Sequence, residues 1–245
     1  MPAQGRGADQ EQVPGQAPQP APDRSPDGGS RTAPLAVEGR LVRLRDWRAE
    51  DLPVYERWIM PPPGGGEHEW QRTDGPFYPN FTAESAQRWL GRLGARVRTG
   101  DWPRVRDTAV IAEQGSDRFL GQVSWYHAEA PTADPGTGTH LLPLHSIGIS
   151  IYPPEFWSGG YGSEALRLWV DLLFRTAEAD RVDLETWSGN VGMCRVAQKL
   201  GFAEEARIRR ARMVEGVHHD RMIYGMLREE WERAPWHGAS AQGES

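Results

Sequence analysis

The six residues Trp157-Ser158-Gly159-Gly160-Tyr161-Gly162 are the stretch of this chain whose types and spacing most clearly imply chemistry. Three glycines in four positions let a backbone turn tightly and come close to a ligand. Apolar residues then recur at helical spacing, at Ala165, Leu166, Trp169, Val170 and Leu173, with Arg167 and Asp171 off that stripe. A glycine-rich turn that opens a helix gathers free N–H groups and the positive end of the helix dipole in one place. That combination suits a phosphate or pyrophosphate, running from Ser158 to Ser163. The competing reading is an ordinary tight helix entry, since glycine turns are common. No Walker lysine follows the glycines, which disfavours nucleoside triphosphate hydrolysis.

A second group of chemistry-bearing residues lies earlier. Glu67, Glu69 and Asp74 interleave with Trp70, Phe77 and Tyr78. Carboxylates beside aromatic faces suit a cationic amine. A solvated acidic loop is the alternative. Other groups point to less. His218-His219-Asp220 lies in a hairpin, where adjacent side chains point to opposite faces, so no metal site is expected. His68-Glu69 lacks the second histidine of a zinc protease helix. Arg92, Arg96, Arg98, Arg104 and Arg106 read as a solvated helix face and loop rather than a polyanion patch. The single cysteine, Cys194, rules out an intrachain disulfide framework and falls among apolar helix positions, as a buried structural thiol does. It also suits a reducing compartment, so a cytoplasmic location is expected.

The elements that must position these groups follow from periodicity. Ile147, Ile149 and Ile151 alternate with smaller or polar residues as a strand, ended by Pro153 and Pro154. Leu41–Arg45 is a first strand. Helical spacing follows at Leu52, Tyr55, Trp58 and Ile59, and again from Thr82 through Trp89, Leu93 and Val97. A long loop from Pro61 to Pro79 separates those helices; a loop of this length is more often functional than idle. Thr108–Glu113 and Phe119–Tyr126 form a hairpin about Gln114-Gly115-Ser116-Asp117. Residues 128–145 read as a loop. After the central helix come a strand at Val182, Leu184 and Thr186, a helix capped by Asn190 and ended by Gly201, and a final hairpin turning at Glu215-Gly216.

The expected fold class is therefore α/β, a mixed sheet in a single domain over residues 35–232. Residues 1–34 contain no Leu, Ile, Phe, Tyr or Trp and read as a disordered Pro/Gln/Gly-rich arm. Residues 233–245 read as a flexible tail. The net charge of −6 argues against a general nucleic-acid surface. No run approaches about 20 apolar residues, so no membrane span is expected. The N-terminus lacks the apolar core of a secretory signal.

The Trp157–Gly162 turn resembles the pyrophosphate turn [Q/R]-x-x-G-x-[G/A] of the GNAT acetyltransferases. Trp in the first slot is similar to the branch that includes the ribosomal-protein alanine acetyltransferases. Asn190, Lys199-Leu200-Gly201-Phe202 and the closing hairpin extend the resemblance over roughly Leu41 to Trp231. It implies a mostly antiparallel sheet whose central strand and the next one splay apart around acetyl-CoA. The pyrophosphate would meet Trp157 to Ser163, and the pantetheine would pair with Ile149, Ser150 and Ile151 as an added strand. An N–H near Ile151 would serve the oxyanion. Asn190 would contact the pantetheine or a water, its alternative being a plain helix cap, and Met193 adjoins it.

Three family positions for proton carriers are changed here, to Ser146, Met193 and Ala197. The remaining candidates are Glu185, His145, His140, Asp74 and His68, each competing with a surface or loop role. On the acceptor side, Glu69, Trp70, Asp74 and Tyr78 are the expected contacts. The resemblance thus implies an acetyl-CoA-dependent N-acetyltransferase acting directly on a primary amine. A protein N-terminus, a polyamine, an antibiotic and a small metabolite all stay open. The alternatives are a non-catalytic acyl-CoA-binding module and an enzyme using a longer acyl-CoA. The resemblance also implies a homodimer.

Overall fold

The computed structural model describes residues 32–76, 81–128, 144–177 and 179–238. The chain builds β1 (Ala36–Glu38), β2 (Val42–Arg45), α1 (Asp51–Ile59), α2 (Glu69–Asp74) and α3 (Ala83–Thr99). Then come β3 (Thr108–Glu113), β4 (Phe119–Ala128), β5 (Leu144–Ile151), α4 (Tyr161–Thr176), β6 (Arg181–Trp187) and α5 (Val191–Lys199). It closes with β7 (Ala203–Val214), β8 (Val217–Leu227), α6 (Arg228–Glu232) and α7 (Pro235–Gly238). The eight strands form one sheet in the order β1-β2-β3-β4-β5-β6-β8-β7. All neighbours are antiparallel except β5 and β6, which run parallel. The mixed α/β sheet expected from periodicity is the fold observed.

Strand alternation divides the core between the two faces of the sheet. Ala109 and Ile111 of β3 face one cluster, with Ile147, Leu166, Trp169 and Leu173. Val110 and Ala112 face the other, with Tyr55, Trp70, Phe119 and Tyr152. The first face is covered by α4, which buries eight side chains from Ala165 to Phe174. Each large apolar side chain so buried contributes roughly 1.5–3 kcal/mol of transfer free energy. The second face carries α1, α2 and α3 and is rich in aromatic rings. Tyr152 is fully buried there, with the rings of Phe119 and Trp58 stacked at 6.0 Å and Trp70 edge-on at 5.1 Å.

Several elements differ from the sequence-based expectation. The segment 61–79 is not one loop, because α2 forms inside it. His68 and Gln71 cap that helix reciprocally, and Trp70 anchors it in the aromatic cluster. β4 and β5 reach into both ends of the loop expected over 128–145, pairing over eight rungs from Gly121↔Ile151 to Ala128↔Leu144, and residues 129–143 lie outside the described residues. That pairing depends on the partner strand, which local periodicity does not contain. β1 is an additional edge strand, three residues long. At the C-terminus α7 lies where a tail was expected, and Trp236 rests on Trp231 with ring centroids 5.0 Å apart. At the N-terminus the described chain begins with Thr32, whose hydroxyl donates to the Trp102 carbonyl, so the expected arm of residues 1–34 ends in contacts. Its residues 1–31 lie outside the described residues. The arginine cluster also resolves differently: Arg106 is buried against Asp46, and Arg96 pairs with Asp107.

Candidate active site

Tyr152 directly follows β5, and Pro153 leads into a single 3-10 turn over Pro154–Phe156. Ser158 then takes a positive φ of 62°, and Gly160 takes φ 92° as the N-cap of α4. The glycine at 160 is required by that conformation, which costs an L side chain roughly 1–2 kcal/mol. Gly162 is ordinary in conformation, and a Cβ there would meet only Ile151 Cδ1 at 3.7 Å. Packing does not explain the missing side chain at 162, which leaves the turn open there.

No side chain caps α4. Its first-turn acid, Glu164, is turned aside. The Glu164 carboxylate accepts the backbone N–H groups of Arg40, Leu41 and Val42 at 2.5 to 3.0 Å, which ties the helix to the β1–β2 turn. The helix start thus keeps orphan donors and its positive dipole end, and no carboxylate of its own neutralises them. A pyrophosphate fits such a start.

Beside this turn the sheet parts. β5 and β6 share only the rungs His145↔Val182 and Ser146↔Asp183. Beyond them, the edge of β5 that faces β6 has no strand partner among the described residues. Which groups point into that gap follows from one bond. The Tyr152 N–H donates to the Leu120 carbonyl, toward β4. Strand alternation then sends the N–H and C=O of Ile151 and Ile149 the other way, into the gap. The Ile151 carbonyl is taken by the Trp157 indole N–H at 2.8 Å. The Ile151 N–H and both backbone groups of Ile149 stay available to a ligand. Ser150 departs from the expectation: its carbonyl lies against Gly121 of β4. Its backbone is committed to the sheet, and its side chain lies near the Tyr152 phenol.

Across the gap, Asn190 caps α5, its Oδ1 accepting the Met193 N–H at 3.0 Å. The amide NH2 of Asn190 is not needed for that cap. Met193 is half-buried against the main core. Cys194 is half-buried too, not fully buried as expected, and its Sγ approaches the Trp187 carbonyl at 3.7 Å.

The acceptor side is assembled by α2. Trp70 is only 4% exposed and donates its indole N–H to the Trp58 carbonyl, so it is a core residue and not a substrate contact. Glu69 is exposed. Asp74, the last residue of α2, is half-buried near Tyr152. Burial pushes its carboxyl up to about 7. Burial also raises the Tyr152 phenol well above its ordinary value, with Tyr55 and Asp74 adding to the shift, so Tyr152 stays protonated. Tyr78 and His140 lie outside the described residues.

Glu185 is engaged in ion pairs with Arg221 and Arg212. The His68 Nε2–H donates to the Met60 carbonyl at 2.8 Å and fixes the entry to α2. His145 is buried against the Trp125 ring. The structure adds a carboxylate that sequence reasoning passed over. Asp183 sits on the last rung of the β5–β6 ladder and accepts the Ser146 hydroxyl at 2.7 Å. Burial raises its pKa, and its Oδ1 is enclosed without a partner. Only the register between two distant strands brings it to Ser146, the position where the family pattern has glutamate.

The family profile described as Acetyltransferase (GNAT) domain matches residues 41–203, more than half of the chain. The chain belongs to the GNAT acetyltransferase family. Among the relatives of this GNAT protein is the putative ribosomal N-acetyltransferase YdaF of Bacillus subtilis (strain 168), 35% identical over 78 residues, 32% of this chain and 43% of that protein. The chain spans only 41–63% of the length of the curated relatives it matches. Two solved structures share the fold. A GNAT-family acetyltransferase from Bacillus anthracis superposes with a TM-score of 0.57 at 16% identity, covering 80% of this chain and all of that one. RimL, a ribosomal L7/L12 alpha-N-protein acetyltransferase in complex with coenzyme A, gives 0.52 at 15% identity, over 80% and 99%. No described helix of the GNAT chain is long and apolar enough to cross a membrane.

Proposed function

We propose that this protein is an acetyl-CoA-dependent N-acetyltransferase that moves an acetyl group directly to a primary amine. The observation that carries this reading is the uncapped, glycine-opened start of α4 at the end of a strand whose free edge faces a gap. Backbone N–H groups of residues 158–163 hold the pyrophosphate, with Gly162 leaving room for it. The N–H and C=O of Ile149 pair with pantetheine amides as an added strand. Bound acetyl-CoA supplies an acetyl group already activated as a thioester. The Ile151 N–H donates to negative charge as it develops; losing one such donor typically costs about 10²–10³ in rate. Asn190 offers its free amide NH2 to the same ligand. Glu69 and Asp74 give the acceptor side a negative character that suits an ammonium group.

The test has two stages. Calorimetry with coenzyme A should give binding that Gly162→Val abolishes or weakens at least tenfold. Thiol release is then timed with acetyl-CoA across N-terminal peptides, polyamines and small amines. Release above background with one class supports the enzyme and names its acceptor. Tight binding with no release from any amine would favour a sensing module instead.

A further inference from the structure

Asp74 stands apart from every other carboxylate near the gap. Glu185 is spoken for by two arginines, and Asp183 is enclosed against Ser146. Asp74 is half-buried yet open on one side, and no cation pairs with it among the described residues. Its place is fixed from both strands that border the gap. The Trp187 indole, at the end of β6, donates to the Thr73 carbonyl at 3.0 Å. Trp70 rests edge-on against Tyr152, directly after β5. Arg72 pairs with Glu215 in the β7–β8 turn. The short helix α2 is thus strapped across the open ends of β5 and β6, and Asp74 is its last residue.

Resting on the enzyme reading above, we propose that Asp74 is the residue that takes the proton from the acceptor ammonium. The transfer is R–NH3⁺ plus the Asp74 carboxylate to R–NH2 plus the Asp74 carboxylic acid, and Asp74 then returns the proton to solvent. The freed amine nitrogen forms the bond to the acetyl carbon as the bond from that carbon to sulfur breaks. The nitrogen gives up its second proton to water as the amide forms, and the sulfur leaves as a thiolate, whose ordinary pKa near 8.5 lets it depart without a dedicated acid. A base serves best when its own pKa lies close to the working pH, and burial without a cation places Asp74 there. The other titratable groups around it are a buried phenol or are exposed or engaged elsewhere. Tyr152 stays a phenol, buried beside Tyr55 and Ser150. Glu215 is held by Arg72, His219 packs edge-on against the Trp187 ring, Glu69 on α2 is exposed, and His68, which caps α2, is bonded to Met60.

The experiment uses the full chain with Asp74→Asn. Coenzyme A affinity by calorimetry should stay within about threefold of the parent. With the amine identified by thiol release, kcat should fall by roughly 10²–10⁴, the usual contribution of a positioned base. The acidic limb of the kcat–pH profile, with its midpoint near that of the Asp74 carboxyl, should vanish. A second readout needs no turnover. In the ligand-free parent, the unfolding temperature should fall as pH rises from 5 to 8, because ionising Asp74 is disfavoured only in the folded chain; in the variant that decline should flatten. A variant that raises KM with kcat and its pH limb intact would overturn the proposal and leave Asp74 as a cation contact. A variant that turns over like the parent would also overturn it, while the enzyme reading stands. A parent chain that releases no thiol with any amine would take down both.

Discussion

At the scale of single residues, two positions separate conformation from access. Gly160 needs its glycine for the backbone, whereas neither conformation nor packing requires one at Gly162, where the proposed pyrophosphate site does. Gly162→Val should therefore unfold within a few degrees of the parent while its coenzyme A affinity falls at least tenfold; thermal unfolding and calorimetry on one preparation check both. The loss corresponds to about 1.4 kcal/mol or more of binding free energy. A second residue-scale prediction concerns Asp51. It is buried, and both its oxygens accept from the buried Arg45 guanidinium at 2.6 and 2.8 Å. Removing one partner of a buried pair leaves an uncompensated charge, at a cost of about 3–5 kcal/mol. Asp117 also contacts Arg45, so Asp51→Ala should fall near the low end of that range in urea unfolding.

At the scale of elements, the clasp between α4 and the β1–β2 turn is decisive. One carboxylate, Glu164, satisfies three consecutive amides there. Hydrogen bonds to a charged acceptor contribute about 1.5–3 kcal/mol, and orphaned donors add a penalty when buried. Glu164→Ala should lower stability by about 2 kcal/mol, with Glu164→Gln recovering part of the loss; equal stability of both variants and the parent would refute the clasp. The parting of β5 from β6 is also an element-scale property. Neither strand is weak, since β5 is paired along its whole length with β4, and β6 with β8. The gap exists because each strand is held by its outer neighbour after only two shared rungs.

At the scale of the whole molecule, acid sensitivity should reflect Asp117. Arg43, Arg45 and Arg48 surround it in the β3–β4 turn, and although its burial acts in the opposite direction, their hydrogen bonds hold its carboxyl well below the usual range. A carboxyl whose folded pKa is depressed stabilises fully above its unfolded value of about 3.9. That contribution is lost as pH falls from about 4 toward the depressed value. Asp117→Asn should be less stable than the parent at pH 6 and close to it near pH 2, as urea midpoints at the two pH values will show. Asp74 acts with the opposite sign, since its raised pKa costs stability as pH climbs toward neutrality.

The sequence alone determined what depends on near neighbours. The Trp157–Gly162 turn, the α4 stripe, the Asn190 cap and the Gln114–Asp117 hairpin are written within a few residues of backbone geometry and period. What it left open depends on partners far away in the chain. α2 forms in a glycine- and proline-rich stretch because Trp70 finds an aromatic pocket and Trp187 finds the Thr73 carbonyl. Asp183 meets Ser146, and Asp74 reaches the mouth of the gap, through strand register and helix docking alone. Proton chemistry is set by desolvation and by the absence or presence of a nearby cation, and both are decided only when distant segments close around a carboxylate.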